Sequence, residues 1–594
     1  MSTMTRRGRL LALVASLLAA LLFQPTFASA TMNVAIEGSG WGHGVGLSQY
    51  GAKAMGADGA TYEEIIARYF KGVSIVPVSA AAPGSFVDTD PAPLWVGLLQ
   101  DSPTVVFSLE SDGGQLCFVE ASSCHMTVMP GVDLRFPPDG LGGCVLLAID
   151  SSGRTDSLSR SGSCNASIRP LSDRTIVNIP FKARSYRGGV VHFRSGTTPS
   201  YLNVIHEVGI DDYLKGISEV PESWPLETIK AQVVVSRSYA LRRALDRGGI
   251  ASLDPGWKSD CDCNLKDDSS DQVYRGWTGE LSHPNWVAAV ESTARLVMSN
   301  SGTVALGLYS SSSGGSTENY VDVFGEDGHP YLTTVFDSPS MSDSANNPHA
   351  SWAATYDQAV LAELFGFQWV SGVEVIERNE SGSARTLQIA GIIGGRPESI
   401  TVGGVEFRDS LSLRSTTFGV AVALPFSDVS RSDPFVGEVI GLNALAVTNG
   451  CTETTYCPND PVTRAEMAAF LVRALDIDQY LDSGAFRDDD GHPLESEIAT
   501  FHHHGLTNGC TETTYCPNDP VTRAEMAAFL VRGFALDESD TDPFSDDNGA
   551  FFEEEISALH ASGITSGCTP TTYCPNDPVT RAEMAAFIIR ALAH

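Results

Sequence analysis

Glu219 stands in the string G-I-S-E-V-P-E-S-W-P, with Val220, Pro221 and Trp224 as apolar neighbours. A carboxyl in such surroundings keeps its proton to a higher pH, so one group can donate a proton and later take one back. Glu222, three residues on, is the rival for that role, and an ordinary loop carboxylate before a helix is the alternative for either. Farther along, Arg237 could hold a developing negative charge, or Arg237 and Tyr239 could be a surface charge and a core aromatic. Tyr309 opens Y-S-S-S-S-G-G, where the hydroxyls of Ser311, Ser312 and Ser313 and the backbone at Gly314 and Gly315 suit the hydroxyls of a sugar, or form only a tight turn. His43 lies between two glycines, with Gln49 following, so its ring is open to a ligand unless its role is structural.

A second chemistry repeats three times. The strings N-G-C-T-E-T-T-Y-C-P-N-D-P-V-T-R-A-E-M-A-A-F from Asn449 and Asn508, and the near copy from Ser566, recur every ~58 residues, the mark of a module stacked against copies of itself. Each copy carries a C-x5-C pair: Cys451 with Cys457, Cys510 with Cys516, Cys568 with Cys574. A zinc site would want four ligands, and no His or further Cys recurs with the pairs, so local disulfides are expected. In each T-R-A-E, an arginine (Arg464, Arg523, Arg581) follows a Thr in N-cap position. On exposed helix starts these guanidinium groups would be sites for a carboxylate; the alternative is an Arg–Glu pair that only decorates the helix start. Cys261 and Cys263 flank Asp262 with no His near, which suits a C-x-C disulfide or a bond to elsewhere better than a metal; no metal and no cofactor are implied.

The elements that must position these residues are legible in outline. Arg6, Arg7 and Arg9, the apolar run Leu10 to Phe23 and Ala28-Ser29-Ala30 read as a signal peptide over 1–30, cleaved on export. Twelve cysteines fit an oxidising exterior. A net charge of −34 argues against nucleic acid or an anionic membrane as partner, and no stable transmembrane anchor is expected. Thr61 and Glu64 form a capping box before Ile65, Ile66, Tyr69 and Phe70. Residues 92–205 alternate short β runs with turns, and Cys117, Cys124, Cys144 and Cys164 lie there, pairing expected in sequence order. Residues 211–245 turn helical, with Leu226, Ile229, Val233 and Ala240 on one stripe. Residues 365–424 read as β again, through V-E-V-I-E-R-N, T-L-Q-I-A-G-I and V-E-F-R-D-S-L-S-L. The fold class is therefore multidomain α+β: one mixed β-rich and α unit over 31–420, then three small, mainly helical repeats over 425–475, 486–533 and 544–594.

Three separated strings resemble one family. I-D-D-Y-L-K-G-I-S-E-V-P-E-S-W-P-L-E-T-I-K-A-Q-V-V-V-S-R-S-Y-A-L from Ile210, D-Q-V-Y-R-G-W from Asp271 followed by L-Y-S-S-S-S-G-G-S-T-E-N-Y, and W-G-H-G-V-G-L-S-Q-Y-G-A-K-A-M-G from Trp41 are similar to the stage II sporulation protein D and LytB amidase-enhancer family. Many relatives carry the W-G-H-G string after the S-G-G segment, so here it is expected to fold back against the same domain. The repeats resemble S-layer homology modules through F-S-D-V at Phe426 and the three T-R-A-E strings, with the cysteine pairs as a departure.

The resemblance implies a lytic transglycosylase, a carbon–oxygen lyase acting on peptidoglycan glycan strands, with Glu219 catalytic. As an acid Glu219 would protonate the glycosidic oxygen; as a base it would take the proton of the muramyl C6 hydroxyl and close a 1,6-anhydro ring. No second carboxylate is then needed, unlike the two-carboxylate scheme. Substrate contacts would fall to His43, Gln49, Arg237, Tyr239, Ser311, Ser312, Ser313, Gly314 and Gly315. The repeats would hold an anionic secondary cell-wall polymer, placing the exported protein outside the cell on the bacterial wall. Two other classes stay open: a non-catalytic enhancer of a cell-wall amidase, and a structural surface-layer protein.

Overall fold

The computed structural model describes residues 33–118, 124, 126–137, 144–149, 155–159, 165–197, 201–480 and 484–594. The leader read at 1–30 and Cys164, the partner expected for Cys144, lie outside the described residues.

The strand Asn33–Gly38 runs antiparallel between Trp352–Asp357 and Phe418–Val422, so the two ends of the large N-terminal unit share one sheet. Val34 and Ile36 are its buried alternate residues and meet Trp352, Phe407 and Phe418. A second antiparallel sheet, Trp369–Arg378, Ala384–Ile393 and Arg396–Gly403, completes that core. The string V-E-F-R-D-S-L-S-L, expected as a strand, is instead the helix Gly404–Ser410. Phe407 and Leu411, four residues apart, both enter the core, which is helical spacing.

Among the described residues the expected β region forms two antiparallel sheets, contributing six strands to each, with Phe107, Phe136 and Phe193 in mutual ring contact in the core. Pro93–Ser102 and Leu202–Gly209 lie side by side in one of these sheets. A strand not expected from sequence, Leu265–Lys266, adds in parallel at its edge. Just before it Cys261 and Cys263 are bonded to each other and buried against Trp95 and Ile205; Cys117 is bonded to Cys124.

The helix Leu226–Arg247 passes through the middle of this unit. It is buried nearly all round instead of along one stripe. Ile229, Val233 and Ala240 join the core of the sheets, while Ala231, Val234 and Val235 join a core with the helices Gln49–Ala57 and Tyr62–Tyr69. Leu226, placed on the buried stripe by its spacing, is 47% exposed because it opens the first turn. The capping box of Thr61 with Glu64 is present.

The C-terminal region holds two helices per repeat, and they pack across the repeat boundaries: Arg464–Ala474 against Glu495–His503, Arg523–Phe534 against Glu553–Ala561, and Arg581–Leu592 back against Val436–Ala444. Each second helix opens on a capping box, Thr463 with Glu466, Thr522 with Glu525, Thr580 with Glu583. The bonds Cys451–Cys457, Cys510–Cys516 and Cys568–Cys574 close the preceding loops.

The T-R-A-E arginines do not head exposed helix starts. Arg464 and Arg523 are 5% exposed and Arg581 3%, because a loop of a neighbouring repeat covers each. Arg464 pairs with Glu525 at 2.6 Å, Arg523 with Glu583 at 3.2 Å and Arg581 with Glu466 at 2.7 Å. Their Nε atoms donate to the carbonyls of Tyr515, Tyr573 and Tyr456, and these tyrosine hydroxyls donate back to the arginine carbonyls. The alternative of an Arg–Glu pair is thus realised between repeats, not within one. Three more pairs, Arg473 with Glu497, Arg532 with Glu555 and Arg590 with Glu438, repeat the arrangement. The third repeat grips the first, so the three form a closed ring. The ring is docked on the upstream unit: the Trp369 indole donates to the Gly437 carbonyl at 2.9 Å, and a Cβ on Gly441 would lie 2.2 Å from that ring.

Arg523→Ala is therefore expected to destabilise the chain by about 1–3 kcal/mol, since it leaves the buried Tyr573 carbonyl without its donor and Glu583 without its cation. Arg487→Ala, at an exposed side chain, should stay within about 0.5 kcal/mol. Denaturant unfolding followed by far-ultraviolet circular dichroism measures both; equal midpoints would mean that the pairs do not hold the ring.

Candidate active site

The strand Leu202–Gly209 runs straight into the helix Ile210–Lys215, and the chain then turns through Gly216 to present Glu219. The turn is held tightly. A Cβ on Gly216 would lie 2.6 Å from Tyr274, the Gly216 carbonyl accepts from Arg275 N at 2.8 Å, and the Trp286 indole donates to the Leu214 carbonyl at 2.7 Å. Ser218 adopts φ 35°, a left-handed conformation that a non-glycine residue holds only under constraint.

Glu219 lies in a cleft of about 410 Å³ lined also by His43, Tyr239, Arg243, Asp271, Gln272, Leu308, Tyr309 and Phe324. It is reachable from the cleft yet ringed by protein. Burial pushes its carboxyl up to about 7, against a smaller opposing effect of the Tyr309 hydrogen bond and the Arg275 charge. Gln272 Nε2 donates to the Tyr309 hydroxyl at 3.0 Å and Tyr213 donates to Gln272 Oε1 at 3.1 Å, so the group that touches Glu219 is itself fixed. The second acid of the cleft, Asp271, is already occupied. It takes both Nη atoms of Arg247 at 2.7 and 2.9 Å, Tyr239 Oη at 3.1 Å and Lys266 N at 2.9 Å. One carboxyl is thus available, and it is half protonated near neutral pH.

Other residues singled out from sequence are divided by the structure. His43 lines the cleft; its Nδ1 accepts from Val45 N at 3.0 Å, which leaves the proton on Nε2. Burial, then the charge of Arg408, holds it down to about 4, so it is a neutral donor. Tyr239 lines the cleft as well. Gln49 supports from behind, with Nε2 3.4 Å from the Glu219 carbonyl oxygen and from Gln232 Oε1. Glu222 caps the helix Pro284–Ser292 through Asn285 N at 2.5 Å. Ser312, Ser313, Gly314 and Gly315 stand away from the cleft: Ser313 Oγ donates to buried Asp337 at 2.7 Å, and Ser312 Oγ accepts from Asn347 at 2.9 Å. Ser311 gives its carbonyl to Tyr50 N.

Arg237 is the plainest correction. It is fully buried, pairs with Asp211 at 2.8 Å and donates to the carbonyls of Leu296 and Val290, so it cannot reach the cleft. The cation at the cleft is Arg243, whose guanidinium lies 5.4 Å from the Tyr239 ring. Helical phase could have found it: Arg243 is four residues from Tyr239, on the same face, while Arg237 is two away and points elsewhere. Tyr309 and Gln272 were quoted in motifs without a role, and their partners are too far along the chain for spacing to reveal.

The string W-G-H-G-V-G packs back against the same domain, as expected, and it does so on the S-S-S-S-G-G segment. Leu47–Ser48 pairs in parallel with Tyr309–Ser310, and Trp41 bridges Ser312.

Residues 199–299, which carry Glu219, match the stage II sporulation protein family, and residues 425–468, 485–527 and 543–585 match the S-layer homology domain. The chain carries a stage II sporulation protein domain and three S-layer homology domains. Among curated relatives, an amidase enhancer from Bacillus subtilis (strain 168) is 28% identical over 196 residues, 33% of this chain and 24% of that protein. An endoglucanase from Bacillus sp. (strain KSM-635) is 38% identical over 174 residues, 28% of this chain and 18% of that protein. A surface-layer 125 kDa protein from Lysinibacillus sphaericus is 27% identical over 182 residues, 29% of this chain and 15% of that protein. The chain spans between 9% and 33% of such relatives' lengths. The S-layer homology domains indicate attachment at the cell surface, and no helix among the described residues is long and apolar enough to cross a membrane.

Because the folded carboxyl of Glu219 is raised above its usual value, its contribution to stability is complete below about pH 4.5 and is lost as pH rises through about 7. Glu219→Gln removes that loss. The variant is expected to gain on the wild type by up to about 3 kcal/mol between pH 5 and 9, read as diverging denaturation midpoints; parallel midpoints would place the carboxyl at its ordinary value.

Proposed function

We propose that the stage II sporulation protein domain cleaves peptidoglycan glycan strands as a lytic transglycosylase, leaving 1,6-anhydro-muramyl ends. The observation that carries this reading is the single available carboxyl. Glu219 holds its proton to about pH 7, while Asp271, the neighbouring acid, is bound up by Arg247. A two-carboxylate hydrolase needs a second free acid to activate water; an internal cyclisation does not. Glu219 gives its proton to the departing glycosidic oxygen as the C1–O bond breaks. The resulting carboxylate takes the proton of the C6 hydroxyl as that oxygen bonds to C1, so atoms and charge balance within one residue. The Tyr309 hydroxyl stabilises the carboxylate between the two steps. His43 Nε2–H and Arg243 line the cleft as donors for sugar oxygens.

Non-catalytic enhancement of a cell-wall amidase is the second reading, favoured by the likeness to an amidase enhancer. It makes no use of Glu219, which separates the two. The S-layer homology ring is proposed to hold an anionic secondary cell-wall polymer. The inter-repeat groove lined by Asn449, Gly450, Phe470, Arg473 and the Arg581–Glu466 pair supports this, since it brings two arginines to one groove.

Glu219→Gln is expected to lower release of 1,6-anhydro ends from peptide-stripped strands by 10² to 10⁴-fold, measured by mass spectrometry. The wild-type rate should fall on the alkaline side of about pH 7, as the acid loses its proton before the reaction starts. Wild-type products with reducing ends would exclude the lytic mechanism, and undiminished amidase stimulation by the variant would favour the enhancer. The mature chain should sediment with purified walls and stop doing so once the anionic polymer is extracted; retention on extracted walls would remove the polymer as anchor.

A further inference from the structure

Outside the cleft, four aromatic rings follow one another across the surface: Trp224, Tyr50, His349 and Trp41. Successive centroids are 5.1, 5.5 and 4.5 Å apart, each pair edge to face. Trp41 is 48% exposed and the other three are partly open. Burying such rings would ordinarily stabilise the fold, so a continuous exposed row is a surface suited to stacking.

Two cations flank the row. Lys53 Nζ lies 5.3 Å from the Tyr50 ring and 5.4 Å from the Trp224 ring, and donates to the Ala345 carbonyl at 2.7 Å, which fixes its direction. Arg414 lies 5.3 Å from the Trp41 ring at the other end. Among the described residues neither has a carboxylate within ion-pair distance, in a chain with a net charge of −34. His349 Nδ1 is buried without a hydrogen-bond partner in the same row.

Backbone hydrogen bonds tie the row to the elements that carry the cleft. The strand that carries Tyr309 into the cleft goes on to Ser311, whose carbonyl accepts from Tyr50 N at 3.0 Å, and to Ser312, which exchanges backbone hydrogen bonds with Trp41. Gln49, the residue before Tyr50, holds the Glu219 carbonyl.

We propose that the row from Trp224 to Trp41, with Lys53 and Arg414, is a binding track for an acidic polysaccharide strand that continues beyond the Glu219 cleft. Aromatic faces stack on the C–H faces of sugar rings and are indifferent to their hydroxyl pattern. The two cations add selection for carboxylates carried on the strand, such as the lactyl groups left when peptides are removed. For the direction of the strand toward Glu219 this rests on the proposed cleavage there; the track itself does not.

The test uses the full mature chain carrying Glu219→Gln, so that bound strands are not turned over. Calorimetry compares peptide-stripped glycan strands with neutral N-acetylglucosamine oligomers, at low and raised salt. Trp41→Ala is expected to weaken both ligands about tenfold. Arg414→Gln, at an exposed side chain, should weaken the acidic strand alone and reduce its salt dependence. Circular dichroism checks that the fold is intact, and Arg414→Gln keeps the test decisive if Trp41→Ala fails to fold. The track is overturned if folded variants bind stripped strands as tightly as their parent, or if the parent binds neither ligand. Failure of the cleavage reading shows separately, as absence of 1,6-anhydro ends with wild-type Glu219 while the track variants still lose affinity.

Discussion

Between Gly40 and Gly46 two stretches of chain lie closer together than any side chain permits. A Cβ on Gly42 would sit 2.7 Å from Ser310 Cβ, one on Gly44 2.9 Å from Glu318, and one on Gly46 2.2 Å from the Leu308 carbonyl oxygen. All four alternate glycines, Gly40, Gly42, Gly44 and Gly46, also hold positive φ. This close approach places His43 in the cleft, threads Trp41 onto Ser312 and orders the strand whose Tyr309 touches Glu219. It depends in turn on the strand Asn33–Gly38, gripped on both edges by segments more than 300 residues away. The site is thus assembled from the two ends of its domain, and the polypeptide between them supplies Glu219 on a constrained turn.

The chemistry of the cleft follows from unequal treatment of two carboxyls. Glu219 lacks a strong cationic partner and keeps its proton; Asp271 is given a bidentate arginine and two further donors. The arrangement needs the tyrosines and Gln272 around it, because a hydroxyl network fixes the angle of a carboxyl that no ion pair would hold.

Local features were legible in the sequence because their causes are local. The capping box at Thr61, the three C-x5-C bonds and the β character of 92–205 rest on neighbours a few residues apart. The failures have a common origin in distant partners. An arginine after an N-cap threonine reads as exposed until a loop 51 residues on covers it, as Tyr515 covers Arg464. Arg237 reads as a candidate from its residue type, while the helical phase that puts Arg243 on the face of Tyr239 singles out the cleft cation. In V-E-F-R-D-S-L-S-L, β-favouring residue types outweighed the four-residue spacing of Phe407 and Leu411. Tyr309 and Gln272 could be seen as part of a motif but not assigned a task, since what they touch is set by the tertiary fold.

The ring of repeats closes because Arg581 of the last copy reaches Glu466 of the first. Such a ring admits one copy number. A fourth module would find both neighbouring edges occupied, and a pair would leave an arginine and a glutamate facing water with their carbonyl partners bare. Unlike an open solenoid, which can lengthen or shorten by whole units and keep its interfaces, this assembly is arithmetically fixed at three. The number of inter-repeat grooves is a property of closure, and duplication within the gene could not raise it one module at a time.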